Sequence, residues 1–342
     1  MKFGNFVFPV STNPSNDQKI IDETLDEILF CEKLGYDTVW LSEHHFDGAT
    51  AYVDPVTFAA AVAAKTKRIR IGFAVVEMAL HHPVRLAAQV SLLDNISKGR
   101  LIVGTGKGSA FNEYEYIGFG VPMSDSASNL EEAESLLIEA WQGDPVNFKG
   151  KYWNVSFPGL RPMTYTKTHP PRIRACLSLE STKAMARIKR PILIGAQDNQ
   201  SIAERISLFR TEALSLNTSV NEVDELLKQI WVSKNVFVGD STEEAIEIAS
   251  EGLTREQKHF QQAREKFNPS GTANNHTSGD DFDSTFIVGT PNEVSEQISE
   301  LKEIGVHNLM MKMNTGEMDN KKVMRSIELF AKHVIPNFEG VT

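Results

Sequence analysis

Two cysteines in 342 residues leave too little material for a disulfide framework. Cys31 and Cys176 both stand inside apolar patterns and read as buried thiols of a reducing compartment. A basic excess is missing too: 35 Lys and Arg face 45 Asp and Glu, for a formal charge of −10. That balance excludes nucleic acid and an anionic membrane surface as partners, because both need a basic face. No run of about 18 apolar residues occurs to span a bilayer. The opening MKFGNFVFPV is apolar but short, and it runs into the polar STNPSNDQK. It therefore reads as a first strand and not as a secretion signal, and the cytoplasm is the expected compartment. Metal-site spacing is absent as well, with no HExxH and no cysteine beside the histidine pairs. No metal is expected, and a metal-dependent hydrolase is disfavoured.

What the chain does have is alternation. With 41% apolar and 23% charged residues it has the composition of a globular protein, long enough to bury a large core unaided. Short β-branched runs predict strands at Lys2 to Phe8, Thr38 to Leu41, Ile69 to Val76 and Leu101 to Thr105. Further runs follow at Ile173 to Leu177, Ile192 to Ile194, Lys234 to Val238 and His307 to Met313. Helical patterns follow each, among them Asp17 to Leu34 (stopped by Gly35), Pro55 to Lys65, Val84 to Ile96, Asn129 to Trp141 and Met318 to His333. Eight such units are the number that closes a (β/α)8 TIM barrel, with an open doubly wound sheet as the other solution. One domain over 1–342 is expected, interrupted twice. The Pro-, Gly- and aromatic-rich stretch 144–168 reads as an insertion after strand four. The polar FNPSGTANNHTSGDDFD at 267–283 reads either as a mobile lid after strand seven or as a surface loop without a role.

Four motifs fall at the ends of strands, where barrel active sites lie. Glu43-His44-His45-Phe46 follows strand two, and a histidine there suits acid–base work, although such a pair also serves structure. His81-His82-Pro83 follows strand three and reads as a helix start, with His82 at the cap and Pro83 in the first turn. Gly104-Thr105-Gly106-Lys107-Gly108-Ser109 follows strand four; it is neither a Walker A loop nor GxGxxG. Its glycines and lysine fit an anion cradle or a plain tight turn. Ser178-Leu179-Glu180-Ser181-Thr182 opens a helix after strand five, and fits N-capping or phosphate binding equally. Lys107 and Ser181 would share one side of the rim, where a single phosphate can bridge them.

Taken in series, KFGNF, WLSEHHF, IRIGFAVV, HHPVRLAAQVSLLDNISKGRLIVGTGKG, CLSLESTKAMA and FIVGTPNEVSEQISELKEIGVHNLMM resemble the bacterial luciferase-like flavin-dependent monooxygenases over nearly the whole chain. The resemblance implies a (β/α)8 barrel that takes reduced FMN from a separate flavin reductase and reacts it with O2. A flavin C4a-hydroperoxide then oxygenates a small organic substrate, an aldehyde or a biosynthetic intermediate. It also implies roles. His44 is the catalytic histidine, with His45 and Phe46 on the substrate and lid side. Ala74 and Val75 match a pair joined by a cis peptide beneath the flavin ring. Gly106, Lys107, Glu180 and Ser181 match the phosphate grip, and 267–283 the lid. Relatives assemble as homodimers or luciferase-like heterodimers.

Departures mark this chain. Lys107 stands where luciferases carry arginine, Gly106 where they often carry a cysteine, and Ala184 where a threonine contacts phosphate, with Thr182 as a substitute. These put aldehyde-dependent light emission in doubt. An F420-dependent oxidoreductase transferring hydride, or a non-catalytic flavin-binding protein, are the alternative functions on the same barrel.

Overall fold

The protein is described by a computed structural model at residues 1–109, 111–269 and 281–339. Local signals set its elements. Asp17–Leu34 ends where Gly35 takes the left-handed conformation at φ 89°, which costs glycine little. Pro55–Lys65 starts where the Asp54 carboxylate accepts from Val56 and Thr57 N–H.

In chain order the elements are β1 (Lys2–Val7), α1 (Asp17–Leu34), β2 (Thr38–Leu41), α2 (Pro55–Lys65), β3 (Arg70–Phe73), β4 (Val76–Glu77), α3 (Pro83–Ser97) and β5 (Leu101–Gly106). Next come α4 (Glu113–Phe119), α5 (Ser126–Gln142), the hairpin β6 (Val146–Lys149) and β7 (Asn154–Phe157), β8 (Arg172–Cys176), α6 (Leu179–Arg187) and β9 (Ile192–Ile194). The chain continues with α7 (Asn199–Ser215), α8 (Val220–Leu227), β10 (Trp231–Val238), α9 (Thr242–Phe267), α10 (Phe282–Thr285), β11 (Phe286–Gly289), α11 (Pro291–Glu303), β12 (Asn308–Lys312) and α12 (Asn320–Leu329).

Parallel pairing runs β10-β12-β1-β2-β3-β5-β8-β9 and returns to β10. The closing contact aligns Trp231 with Leu193 and Val232 with Ile194. It makes the sheet a closed eight-stranded barrel and rules out the open alternative.

Some sequence expectations shift. Strand three is cut into β3 and β4 at Ala74–Val75, which are joined by a cis peptide. Strand seven begins at Trp231 and not at Lys234, because Ser233, Lys234 and Asn235 are buried despite their polarity. Lys234 is accommodated by donating to the carbonyls of Gln197 and Ser284 at 2.6 and 2.7 Å. A further strand, β11, had no counterpart in the pattern; it pairs with the upper half of β10. Within 144–168 lies the antiparallel hairpin β6–β7. Of 267–283, Phe267 ends α9 and Asp281 caps α10, while 270–280 lie outside the described residues. Both cysteines are free and buried. Among the described residues no helix is long and apolar enough to cross a membrane.

The barrel is filled, not hollow. Trp40, Ile102, Ile173, Leu193, Trp231 and Met310 form its buried interior, with the two indoles edge to face at 5.0 Å. Trp40 fits because the strands on either side are bare. A Cβ on Gly72 would stand 2.3 Å from the indole, and one on Gly4 2.7 Å from its Nε1. Gly72→Ala should therefore overpack the interior and cost about 1–3 kcal/mol. Urea unfolding should show this as a lower midpoint, with part of the loss restored by adding Trp40→Phe; an unchanged midpoint would refute the close fit.

Outside the barrel, a buried cluster ties the strands that carry the site. Glu134 on α5 holds Arg174 at 2.6 Å and Arg190 at 2.5 Å, and takes the Thr105 hydroxyl. Burial works against its charge, but the two guanidiniums outweigh it and hold the carboxyl at about 2. Thr105 and Arg174 are register partners, so this cluster locks the ends of β5 and β8 side by side.

Candidate functional site

Four loops at the C-terminal ends of consecutive barrel strands carry most of the residues singled out above. β2 leads to Ser42–Phe46, β3 to Ala74–Val75, β5 to Lys107–Ser109 and β8 to Leu177–Ser181, and those strands are neighbours in that order.

The histidine pair after β2 is split between two tasks. His45 turns to Glu43, whose Oε1 lies 2.8 Å from its Nε2 and 2.7 Å from Nε2 of His81. Glu43 Oε2 accepts the Glu77 N–H at 2.8 Å. Burial opposes a charge on Glu43, yet the hydrogen bonds from His45 and His81 overcome it and hold the carboxyl at about 2. Burial likewise lowers the imidazole of His81, and the Glu43 bond and charge more than reverse this. His81 is thereby a structural partner.

Removing one member of such a buried pair costs about 3–5 kcal/mol, so Glu43→Gln should destabilise the protein by that order near neutral pH. The sign with pH follows. A depressed carboxyl stabilises the fold above its unfolded value of about 4.3 and loses that contribution as pH falls toward 2. A raised imidazole contributes below about 6.5 and loses it as pH rises through the folded value. Denaturant unfolding across pH should show the gap between wild type and variant widest between these limits; a gap independent of pH would contradict the pairing.

His44 goes the other way. Its Nδ1 lies 3.2 Å from Oε1 of Glu115 on α4, which also accepts the His45 N–H at 2.9 Å. Its ring stands edge-on to Phe8 at 5.2 Å and Phe260 at 6.0 Å. Burial lowers the imidazole pKa and the charge of Lys312 adds to that, but the Glu115 bond and charge, with Asp47, raise it overall. Lys312 stacks on Phe8 and pairs with Glu256 of α9 at 2.6 Å. Phe46 is exposed, with φ 61°, and lies on Gly118, where a Cβ would meet its ring at 2.3 Å. With Ser11, Pro14, Asp47 and Thr50 it lines a cleft of about 250 Å³.

At the next strand ends, Ala74 packs on the top of the barrel interior. Val75 Cγ2 lies 2.7 Å from where a Gly106 Cβ would stand, so a side chain at this spot would have to displace Val75. Lys107 is exposed, and its carbonyl accepts the Tyr116 hydroxyl at 2.8 Å. Because Thr105 aligns with Arg174, Lys107 and Leu177–Ser178 sit at adjoining strand ends. Ser178 caps α6: its Oγ accepts the Ser181 N–H at 3.1 Å, and the Ser181 hydroxyl returns to its carbonyl at 2.8 Å. The Leu179 and Glu180 amides have no carbonyl within the helix to donate to. Glu180 is exposed and Ser181 half-buried, whereas Thr182 is buried with its hydroxyl given to the Ser178 carbonyl. Thr182 therefore offers a ligand least.

Several residues here escaped sequence reasoning. Glu77 did carry a signal, as a lone acid in the buried run FAVVEMA. Glu115 carried none, since a helical EYEY reads as a surface. Phe260 and Lys312 arrive from elements more than 200 residues beyond His44. Arg205 of α7 donates to the Leu177 carbonyl at 2.8 Å and to Gln197 Oε1 at 3.2 Å, while its other terminal nitrogen is buried without a partner. It adds a second cation beside the α6 cap.

Comparison with known proteins decides the family, for the luciferase-like monooxygenase model matches residues 1–308. The chain belongs to the luciferase-like monooxygenases. Limonene 1,2-monooxygenase of Rhodococcus erythropolis is 26% identical over 99% of this chain and 87% of that protein. The crystal structure of monooxygenase RslO1 from Streptomyces bottropensis superposes with a TM-score of 0.85 at 26% identity, covering 99% of this chain and all of that one. The oxygenating constituent of 3,6-diketocamphane monooxygenase from Pseudomonas putida, solved with FMN, shares the fold at a TM-score of 0.78 and 19% identity over 98% of each chain. An F420-dependent secondary alcohol dehydrogenase shares it too, at 0.76 and 18% over 99% of each chain. The luciferase-like monooxygenases are flavin-dependent enzymes; at the rim of this member an exposed lysine, Lys107, adjoins the open amides of α6, and the Val75 side chain lies over Gly106.

Proposed function

We propose that this luciferase-like monooxygenase is the oxygenating component of a two-component system, using reduced FMN from a separate flavin reductase and O2 to oxygenate a small organic substrate. One observation carries the reading: His44, Ala74–Val75, Gly106–Lys107 and the α6 cap follow one another on consecutive strand ends. Lys107 and the Leu179 and Glu180 amides hold the phosphate dianion, the Ser181 hydroxyl joins them by turning away from the Ser178 carbonyl, and Arg205 stands behind. Ala74 and Val75, with the Val75 side chain lying over Gly106, offer the apolar seat for the ring system. Bound reduced flavin supplies the electrons that activate O2. His44 holds or releases a proton at Nε2, the nitrogen that Glu115 does not engage. Phe8 and Phe260 flank the His44 ring edge-on and limit its approach to the rest of the rim. His45 and Phe46 shape the substrate side, where the cleft opens.

The assembly we propose is a dimer, a homodimer or a luciferase-like heterodimer. The outer face of α3 exposes Leu92 and Ile96 beside Met163 and Tyr165, and Asn95 docks that strip by donating to the Met163 carbonyl at 2.7 Å. A cytoplasmic location and one barrel domain complete the reading.

The test supplies the protein with FMN, a flavin reductase, NADH and 18O2 against a panel of aldehydes and aromatic polyketides. One labelled oxygen atom in a product supports the proposal. Absence of measurable affinity for reduced FMN would end it, and anaerobic reduction of F420 by an alcohol would replace it with hydride transfer.

A further inference from the structure

Behind His44 lie two carboxyls that no cation neutralises. Glu115 is fully buried; its Oε1 faces His44 Nδ1 and accepts the His45 N–H, while its Oε2 is reached by no donor. Glu77, on β4, is also buried, and its Oε2 is likewise without a donor. A ring nitrogen of His44 and one carboxylate oxygen each of Glu77 and Glu115 lie within 4.8 Å of one another. Gly108 roofs the pair, for a Cβ there would stand 3.1 Å from Glu77 Oε2.

The Ser109 backbone N–H faces Glu77 and eases its charge; the other surrounding groups are committed elsewhere. Glu43 serves His45, His81 and the Glu77 N–H. Asp47 takes the amides of Ala49 and Thr50 and the Thr50 hydroxyl. Tyr116 donates to Lys107, Lys312 pairs with Glu256, and Arg264 donates to Asn112. Tyr114 packs against Phe267 with its own hydroxyl unpartnered.

Two buried carboxyls this close, each with an oxygen that no donor reaches, are one proton short, since two like charges there cannot both persist. A single proton satisfies both. Glu115, already an acceptor twice over, stays the carboxylate. Burial first, then the charges of Glu115 and Glu43, drive the Glu77 carboxyl well above its ordinary range.

We infer that Glu77 is a neutral acid that donates to Glu115 Oε2, and that this buried dyad positions His44, fixing its proton on Nδ1 and leaving Nε2 as the exchanging nitrogen. With a neutral imidazole the trio carries −1; when Nε2 takes a proton, the imidazolium is met by Glu115 and the trio carries 0. Glu77 keeps its proton throughout, so the charge beneath the Gly106–Lys107 loop swings by one and not by two. The use of this dyad in oxygenation rests on the proposed function, but its existence does not.

Infrared spectroscopy of the ligand-free protein at neutral pH tests it. Burial also raises the Glu27 carboxyl to about 7, so the readout is the difference spectrum: wild type minus Glu77→Gln, whose amide still donates to Glu115 and preserves the fold, should hold a protonated-carboxyl C=O band that shifts in D2O. Histidine NMR should find His44 as the Nδ1–H tautomer in wild type and in Glu77→Gln, and Glu115→Gln should lower its titration by about 1–3 pH units. No such band in the difference spectrum, or an unmoved His44 titration in Glu115→Gln, would overturn the inference. So would a stoichiometric divalent metal that co-purifies with wild type and is lost in Glu77→Gln, because a cation would then stand where the proton is placed. None of these readouts requires flavin, so failure of oxygenase activity and failure of the dyad are told apart.

Discussion

Replacing His44 with alanine should cut oxygenated product by roughly 10²–10⁴-fold, the range over which a positioned acid–base group contributes. The variant should still bind reduced FMN, because His44 belongs to the loop after β2 while Lys107 and the α6 cap follow β5 and β8. Its neighbours Phe8 and Phe260 remain, and Glu115 keeps the His45 N–H at 2.9 Å, so the pocket has no reason to collapse. Reductant would continue to be consumed, with oxygen leaving as hydrogen peroxide. Product and peroxide measured per NADH separate the two fates. Product formation equal to wild type would remove His44 from the mechanism.

Lys107→Ala addresses the other half of the site. A hydrogen bond to a charged group contributes about 1.5–3 kcal/mol, but Lys107 is exposed and solvent and salt screen part of that. FMN affinity should fall by about tenfold at physiological ionic strength and further at low salt, while riboflavin, which lacks the phosphate, should bind as before. Lys107→Arg should recover FMN binding, since the guanidinium offers the fork that fits a phosphate. Equal weakening of FMN and riboflavin would place the phosphate elsewhere on the rim.

The architecture was legible because a barrel strand is buried on both faces and shows as an unbroken apolar run. TVWL at Thr38–Leu41 and ILI at Ile192–Ile194 are such runs, and each lies where the pattern put it. Runs that mix in polar residues escaped: the start of β10 hides Ser233, Lys234 and Asn235 in the core, which only tertiary partners make tolerable. β11 is four residues long and runs into a helix cap at Thr290, so a strand reading had little to rest on. At the site, residues just after strands were easy to nominate, and the split between His44 and His45 was not. That split is decided by Glu43 on one side and Glu115 on the other, and Glu115 comes from a helix whose burial no local pattern announces. Phe260 and Arg264 belong to α9, which donates from Arg264 to Asn112 and from Asn268 to the Phe111 carbonyl, joining the far end of the sequence to the loop after β5. Contacts at such separation leave no trace in periodicity.

The edge-to-face indoles in the barrel give the molecule a floor. With Trp40 and Trp231 filling the tube, the described residues leave the rim as the approach for the ligands of the proposed function. Visitors must therefore take turns: a spent cofactor leaves before a fresh one boards, and a product that lingers in the mouth holds up everything behind it. Turnover in such a dead-end vessel is governed as much by the order of departures as by the speed of the chemistry.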